Sequence, residues 1–463
     1  MFPRSPSKFS YFLFFILSSL ANFLLCETIY FEPLHSADSL YLPLLLKDLL
    51  TGQGIGHWHL PPSPYLFPDL LLNLILYPLV PFLYLPSFYG TAQMALVLLG
   101  IFIFLSKFLD QTKSLIFLYL FEILFIVFSL LGYSLKDHPL PFAYFLSGAH
   151  HSTGFFFSLL LTLYLYSLLN EESKKKENDN LYKMLSIPYV FFFFLSFILL
   201  YISDRFSFVL GVISFFIVRI WDKNLTVSKR ISYFQRKQFW ILAVFFIFFG
   251  ELIFFGLRSM VSIPNSFQIL FTYLSKWNGS VILQISGAYL LDFSKHIFYQ
   301  GRSILVLIGF VFLGFTRFPK LNQHLLLVFF PVLVGLLLLV GRFTYLHPYP
   351  IRYLFPLWFL GLFGITWVLC DLVPRENLKG LFFLLLCLVG MLFYFPFPRE
   401  KAKTYFSQIT ETHVSYDLEK PIRFWSEGRK TPLPVDKDGK PYRWITGAFH
   451  THLTESEEPM IWK

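Results

Sequence analysis

The sequence predicts an all-α, polytopic membrane protein with about eleven transmembrane helices, and three observations carry that prediction. Of 463 residues, 56% are hydrophobic and only 14% are charged, whereas a soluble chain keeps roughly a quarter of its residues charged. Apolar runs of about 20 residues recur along the whole chain, each long enough to cross about 30 Å of hydrocarbon. The basic residues gather in short connectors between those runs, which is the positive-inside pattern. The mean hydropathy is +0.60, and the 61 Phe and 26 Tyr suit lipid-facing and interfacial positions.

The formal charge of +10 would raise nucleic acid as a partner in a soluble protein. Here the cations are topology signals, and no basic stretch interleaved with stacking aromatics stands out, so nucleic-acid binding is set aside. Cys26, Cys370 and Cys387 each lie in or at the end of an apolar run, so neither a disulfide framework nor a metal knuckle is implied.

The N-terminus resembles a signal sequence, with Arg4 and Lys8 before an apolar core. Leu24 and Leu25 precede Cys26 where cleavage or lipidation wants small residues, so a retained first helix is expected. Candidate spans follow near 9–29, 88–108, 113–133, 143–168, 185–203, 205–221, 239–258, 303–317, 324–341, 353–371 and 380–396. The connectors 106–113, 170–183, 221–239, 317–324 and 371–380 all carry Lys or Arg. Placing all five in the cytoplasm gives a consistent alternation, with the N-terminus inside and the C-terminus outside. The apolar stretch 70–86 does not fit as a span. It would reverse that alternation, and Pro78, Pro81 and Pro86 break a regular helix. It is read as a juxtamembrane segment that dips into the outer leaflet without crossing.

The expected organisation is therefore a transmembrane domain over 1–396 and a charged outer-face tail or small domain over 397–463. Within the first, 30–87 forms an outer loop of juxtamembrane helices and 258–302 a second large outer segment.

The outer face collects the residues that can carry chemistry. Asp38 opens DSLYLPLLLKDLL, whose pattern fits an amphipathic helix lying on the membrane surface. A carboxylate at such a boundary is partly desolvated, which raises its basicity and suits a general base acting on a hydroxyl; the structural alternative is a helix N-cap. Tyr41, on the same helix, is grouped with the substrate-binding residues. His57, Trp58 and His59 precede a rigid Pro-rich turn. Trp58 either stacks on a sugar or sits in the interfacial belt, and the two histidines are a weak metal signal. Asp137, His138, His150 and His151 flank the outer end of the span that begins near 143, as cavity-rim residues either functional or merely solvated. Asp204 and Arg205 make a tight outer connection that either pairs with itself or faces the same cavity.

Arg258, Arg342, His347, Arg352 and Tyr353, with Lys276, Lys295, His296 and Arg302, make the outer face unusually basic. That departs from the positive-inside pattern and points to an anionic partner such as a lipid phosphate, because guanidinium groups match phosphate oxygens.

The order of these features is familiar. A first span precedes an outward acid on a surface helix, then a loop with Trp58 and a Pro61-Pro62-Ser63-Pro64 turn, and Arg352-Tyr353-Leu354 opens a late span. This resembles the GT-C superfamily of polyprenyl-phosphate-sugar glycosyltransferases, in particular its protein mannosyltransferase and aminoarabinose transferase branch, over most of 9–396. The resemblance implies that Asp38 is the catalytic acid and that Arg352 and Tyr353 lie near the lipid phosphate. The chain departs from the family where many members have two adjacent acids, since here Asp38 is followed by Ser39. No cofactor is expected, and a divalent metal is compatible but not favoured. Asp137 and Asp204 are loose candidates for a second family acid.

The function so implied is transfer of a sugar from a polyprenyl-phosphate donor to a lipid, glycan or protein acceptor, in a multi-pass protein of a bacterial inner membrane. An O-antigen ligase or polymerase and a lipid or sugar flippase remain as alternatives. No paired interrupted helices near mid-membrane argue for transport; a ligase usually carries its large outer loop late in the chain, and here there is both an early loop and a late one, 258–302, so that alternative stands.

Overall fold

The computed structural model describes residues 6–55, 58–106, 108–134, 142–161, 187–212, 237–263 and 355–442. The spans expected near 303–317 and 324–341, most of 258–302, and the connectors 170–183 and 317–324 lie outside the described residues. So do His57, Asp137, His138, Arg342, His347, Arg352 and Tyr353.

The described protein is mostly helical. Among the described residues three helices are long and apolar enough to cross a membrane: Lys8–Glu27, Phe82–Leu105 and Gln111–Tyr133. The first is α1 (Lys8–Glu27), started by Ser7, whose hydroxyl accepts the Ser10 N–H at 3.3 Å. Two helices follow, α2 (Phe31–Leu34) and α3 (Ala37–Leu50). After an irregular stretch come α4 (Leu71–Leu76) and α5 (Leu85–Leu105), the latter entered through Pro86, where a missing N–H costs nothing. Next is α6 (Gln111–Ser134). Asp110 Oδ1 accepts the N–H groups of Thr112 and Lys113, each at 3.0 Å, and so caps the start of α6. Between 71 and 81 only α4 is helical, and six residues span about 9 Å, far short of a crossing.

The expected span over 143–168 is corrected. It starts as one turn, α7 (Ala143–Leu146), breaks over 147–151, and resumes as α8 (Ser152–Leu161). Ala149 and His151 adopt φ of +64° and +65°, and the break turns backbone and side chains of 147–151 toward the first loop. The remaining helices are α9 (Ile187–Ser203), α10 (205–212), α11 (Lys237–Met260), α12 (Phe355–Leu372) and α13 (Leu378–Leu392).

The apolar core joins α1, α5, α6, α8, α12 and α13, with Phe14, Phe117, Phe121, Phe125 and Phe155 fully buried. At one end of this bundle the two basic connectors meet. Arg375 Nη2 lies 2.5 Å from Asp110 Oδ2, and Lys113 Nζ donates to the carbonyls of Cys370 (2.6 Å) and Val373 (2.9 Å), capping α12. At the other end the 30–84 segment, the 147–151 break, the Asp204 corner and the tail come together.

Two expectations change at this second end. Helix α3 does not leave an apolar face open: Leu40, Leu42, Leu44 and Leu45 are buried in a second core with Trp58, Phe254, Phe424 and Trp425, and Leu46 is buried as well. The described part of the tail, 397–442, forms α14 (Arg399–Gln408), β1 (His413–Ser415), α15 (Tyr416–Trp425) and β2 (Leu433–Val435), with β1 and β2 parallel, and α15 covers α3. Arg423 Nη2 reaches both oxygens of Asp48, at 2.9 and 3.0 Å. Arg399 is buried against Glu27 at the end of α1, with Nε 2.7 Å from Oε2, and its guanidinium stacks 3.8 Å over Tyr84. Glu27 also accepts the Ser87 hydroxyl at 2.5 Å.

Candidate functional site

Tyr41 is the centre of the candidate site. It is fully buried on α3, donates its hydroxyl to the Pro64 carbonyl at 2.7 Å, and feels the charges of Asp38, Asp69 and Asp204. Burial first, and these three acids next, push its phenol well above its usual value. Tyr41 therefore remains protonated within electrostatic reach of three carboxylates from separate segments.

Asp38 lies in the first turn of α3 and is half-buried. The N-cap position belongs to Ser36, not to Asp38, so the capping alternative is not what holds this residue. Its Oδ1 accepts the hydroxyl of Tyr416 at 2.8 Å. Ser39, its neighbour, is buried and bonds Ser147 Oγ (2.8 Å), the Pro33 carbonyl (2.9 Å) and His150 Nε2 (3.2 Å).

Asp204 and His151 were both expected at the rim, and the structure joins them. His151 Nδ1 lies 2.8 Å from Asp204 Oδ1, and His151 Nε2 lies 2.9 Å from the Tyr65 hydroxyl. Asp204 also accepts the Ser207 hydroxyl at 2.6 Å. Tyr65 and His151 both have positive φ, 49° and 65°. For residues of this size such a conformation is costly, and strain of this kind gathers at functional positions. Gly154 is required beside them, because a Cβ there would sit 2.5 Å from Asp204 Oδ2. An acid, an imidazole and a phenol in line make a chain able to pass a proton.

Asp69 is the residue that sequence reasoning missed. It is 2% exposed, and its Oδ1 accepts three donors: Tyr89 Oη at 2.7 Å, the Ala149 N–H at 3.1 Å and Thr153 Oγ1 at 3.1 Å. Burial outweighs these donors and pushes the carboxyl up to about 6 from its ordinary 3.8, with Asp204 adding to the rise. The folded protein thus binds a proton more tightly than the unfolded chain. The associated stability is complete below pH 4 and is lost as pH rises through 6, on the order of 3 kcal/mol at neutral pH. Asp69→Asn keeps the oxygen that accepts all three bonds. It is expected to raise stability in detergent by about 1–3 kcal/mol at pH 7.5, with the gain gone below about pH 4. A loss at pH 7.5, or a gain that does not depend on pH, would contradict this account.

Other expected site residues sit elsewhere. Trp58 is 1% exposed, donates its indole N–H to Asp48 Oδ2 at 3.1 Å and lies below Arg423. It is a core residue, so neither a sugar-stacking face nor an interfacial belt describes it. His59 is half-buried in a bridge to Ser262, with Leu60 N–H on the Ser262 carbonyl at 2.9 Å. Arg205 does not pair with Asp204. Its Nη2 is 3.0 Å from Glu251 Oε1 and its guanidinium lies 3.9 Å over Phe254. Arg258 is exposed near the end of α11. Among the described residues no group of three or more His, Cys, Asp or Glu is arranged to hold a metal ion.

A scan of protein-family models finds no match to this chain, and a search of curated proteins finds none.

Proposed function

We propose that this protein is an integral membrane glycosyltransferase that moves a sugar from a polyprenyl-phosphate donor to a hydroxyl of a lipid, glycan or protein acceptor. The observation that carries the reading is that Asp38, Asp69 and Asp204, the last joined to His151, all act electrostatically on the buried Tyr41 at one end of an apolar bundle. Such a site meets a lipid-borne substrate at the membrane boundary and offers bases to its acceptor. We take this end to be the outer face of a bacterial inner membrane, because the opposite end carries two of the basic connectors, 106–113 and 371–380.

In the proposed reaction Asp38 takes the proton of the acceptor hydroxyl as its oxygen attacks the anomeric carbon. The bond from that carbon to the phosphate oxygen breaks in line, and the polyprenyl phosphate leaves with the electron pair. Cations offset the charge developing on the leaving phosphate; Arg342 and Arg352 are the residues assigned to it. Asp38→Asn in membranes supplied with a radiolabelled polyprenyl-phosphate sugar is expected to lose transfer by roughly 10²–10⁴-fold. Full transfer by this variant would overturn the mechanism.

One observation favours transport as a second reading. Glu122 of α6 is completely buried within the bundle, where Asn22 of α1 donates to its Oε1 at 2.7 Å. An ionisable group at such depth is a candidate for a transported proton or a coupled substrate. Loss of substrate translocation in Glu122→Gln, with Asp38→Asn unaffected, is the outcome that would select it.

A further inference from the structure

Asp38 is contacted by a residue nearly four hundred positions away. Tyr416, the first residue of α15, donates its hydroxyl to Asp38 Oδ1 at 2.8 Å. Its ring is held on two sides. The Tyr442 ring packs edge-on at 5.5 Å, and the Lys420 ammonium lies 4.3 Å over its face. Lys420 is itself fully buried and bonded to Glu419 Oε2 at 2.7 Å, so this support is fixed. The helix that carries Tyr416 is held to α3 by Arg423 on Asp48, and the tail to α1 by Arg399 on Glu27. The hydroxyl is thus aimed at the carboxylate by packing on every side.

We propose that Tyr416 is a positioning residue of the active centre: its hydroxyl fixes the carboxylate of Asp38 and favours the ionised form. The proposal rests on the reading of Asp38 as the base. A donor to the charged form of a carboxylate stabilises that form, and its removal raises the pH at which the group protonates. The phenol itself does not ionise in this role. Burial, and then the charge of Asp38, push Tyr416 well above its ordinary value. Among the described residues, the charge of Asp38 is felt by Tyr416, Lys420 and Tyr442 from the tail and by Tyr41 from its own helix. Tyr416 donates its hydroxyl to it, and Tyr416→Phe leaves the other three and the ring packing in place. The 397–442 segment is then a wall of the site, which supplies a side chain to the base.

The test uses full-length wild type, Tyr416→Phe and Asp38→Asn in membranes, with two readouts against pH. One is transfer from a radiolabelled polyprenyl-phosphate sugar. The other is labelling of Asp38 by a hydrophobic carbodiimide, which reacts with the protonated carboxyl, followed by peptide mass spectrometry. Tyr416→Phe is expected to keep the donor KM, to lower kcat about tenfold, and to move both the acidic limb and the labelling midpoint up by roughly one pH unit. Superimposable profiles for Tyr416→Phe and wild type in both readouts would overturn the proposal. Unimpaired transfer by Asp38→Asn would instead remove Asp38 as the base, and the labelling midpoint would still decide whether Tyr416 sets its charge.

Discussion

Arg423→Ala is expected to free α15 from α3 and to cost roughly 3–5 kcal/mol, the loss that follows when one partner of a buried ion pair is removed. Asp48 and Arg423 are 4% and 1% exposed. Without the guanidinium, Asp48 keeps the Trp58 indole but is a buried carboxylate that has lost its cation. The lost packing adds to this, because Arg423 also lies 5.7 Å over Trp58. Release of α15 withdraws Tyr416 from Asp38, so transfer falls together with stability. Hydrogen exchange over 416–425 and thermal unfolding in detergent read the first effect, and the transfer assay reads the second. The double variant Asp48→Leu with Arg423→Met removes both charges and is expected to recover most of the stability, since apolar replacement of a buried pair is often neutral or better. Arg423→Ala with wild-type exchange over 416–425 would show that the pair holds nothing in place.

The parts of this fold that were legible in the sequence are those whose cause is local. Helices α1, α5 and α6 follow from uninterrupted apolar runs, and the shortness of the helix at Leu71–Leu76 follows from the prolines after it. Helix α3 is likewise readable from its own residues, but its surroundings are not. DSLYLPLLLKDLL looks amphipathic against a membrane, and nothing within it reveals that a helix 375 positions later supplies its cover. Asp48 and Arg423 are each an ordinary surface charge until they meet.

The site divides in the same way. His151 and Asp204 were each legible as polar residues at the ends of spans, but their bond depends on the break at 147–151. That break needs positive φ at Ala149 and His151, neither of which is glycine, so no residue type announces it. Asp69 ends the Pro-rich stretch and reads as a turn residue. Its significance comes from Tyr89, Ala149 and Thr153, which belong to later elements. The signal that could have found it is an acid placed directly before an apolar helix in a juxtamembrane segment, where an unpaired carboxylate would be costly.

Acid is expected to open the tail, and His35 is the residue that makes it do so. His35 is 6% exposed and stacks on Phe31 at 4.1 Å and on Trp425 of α15 at 5.1 Å. Burial, opposed by the Phe31 carbonyl 2.8 Å from Nδ1 and helped by the Arg399 charge, lowers its pKa from 6.5 to about 3. The packed protein keeps the ring neutral, whereas a form with α15 released exposes it to water and lets it take a proton near 6.5. The released form therefore binds more protons between pH 6.5 and about 3, and docking weakens as pH falls through that window. Above 6.5 the contribution is constant. Each pH unit below 6.5 costs up to about 1.4 kcal/mol, so at pH 5 the open form gains on the order of 2 kcal/mol, close to thirtyfold in population. His35→Phe preserves the stack and has no proton to bind. Protease sensitivity of 416–425 compared at pH 7.5 and pH 5 is expected to rise steeply in the wild type and much less in His35→Phe. Equal acid sensitivity in both proteins would show that His35 does not drive the opening.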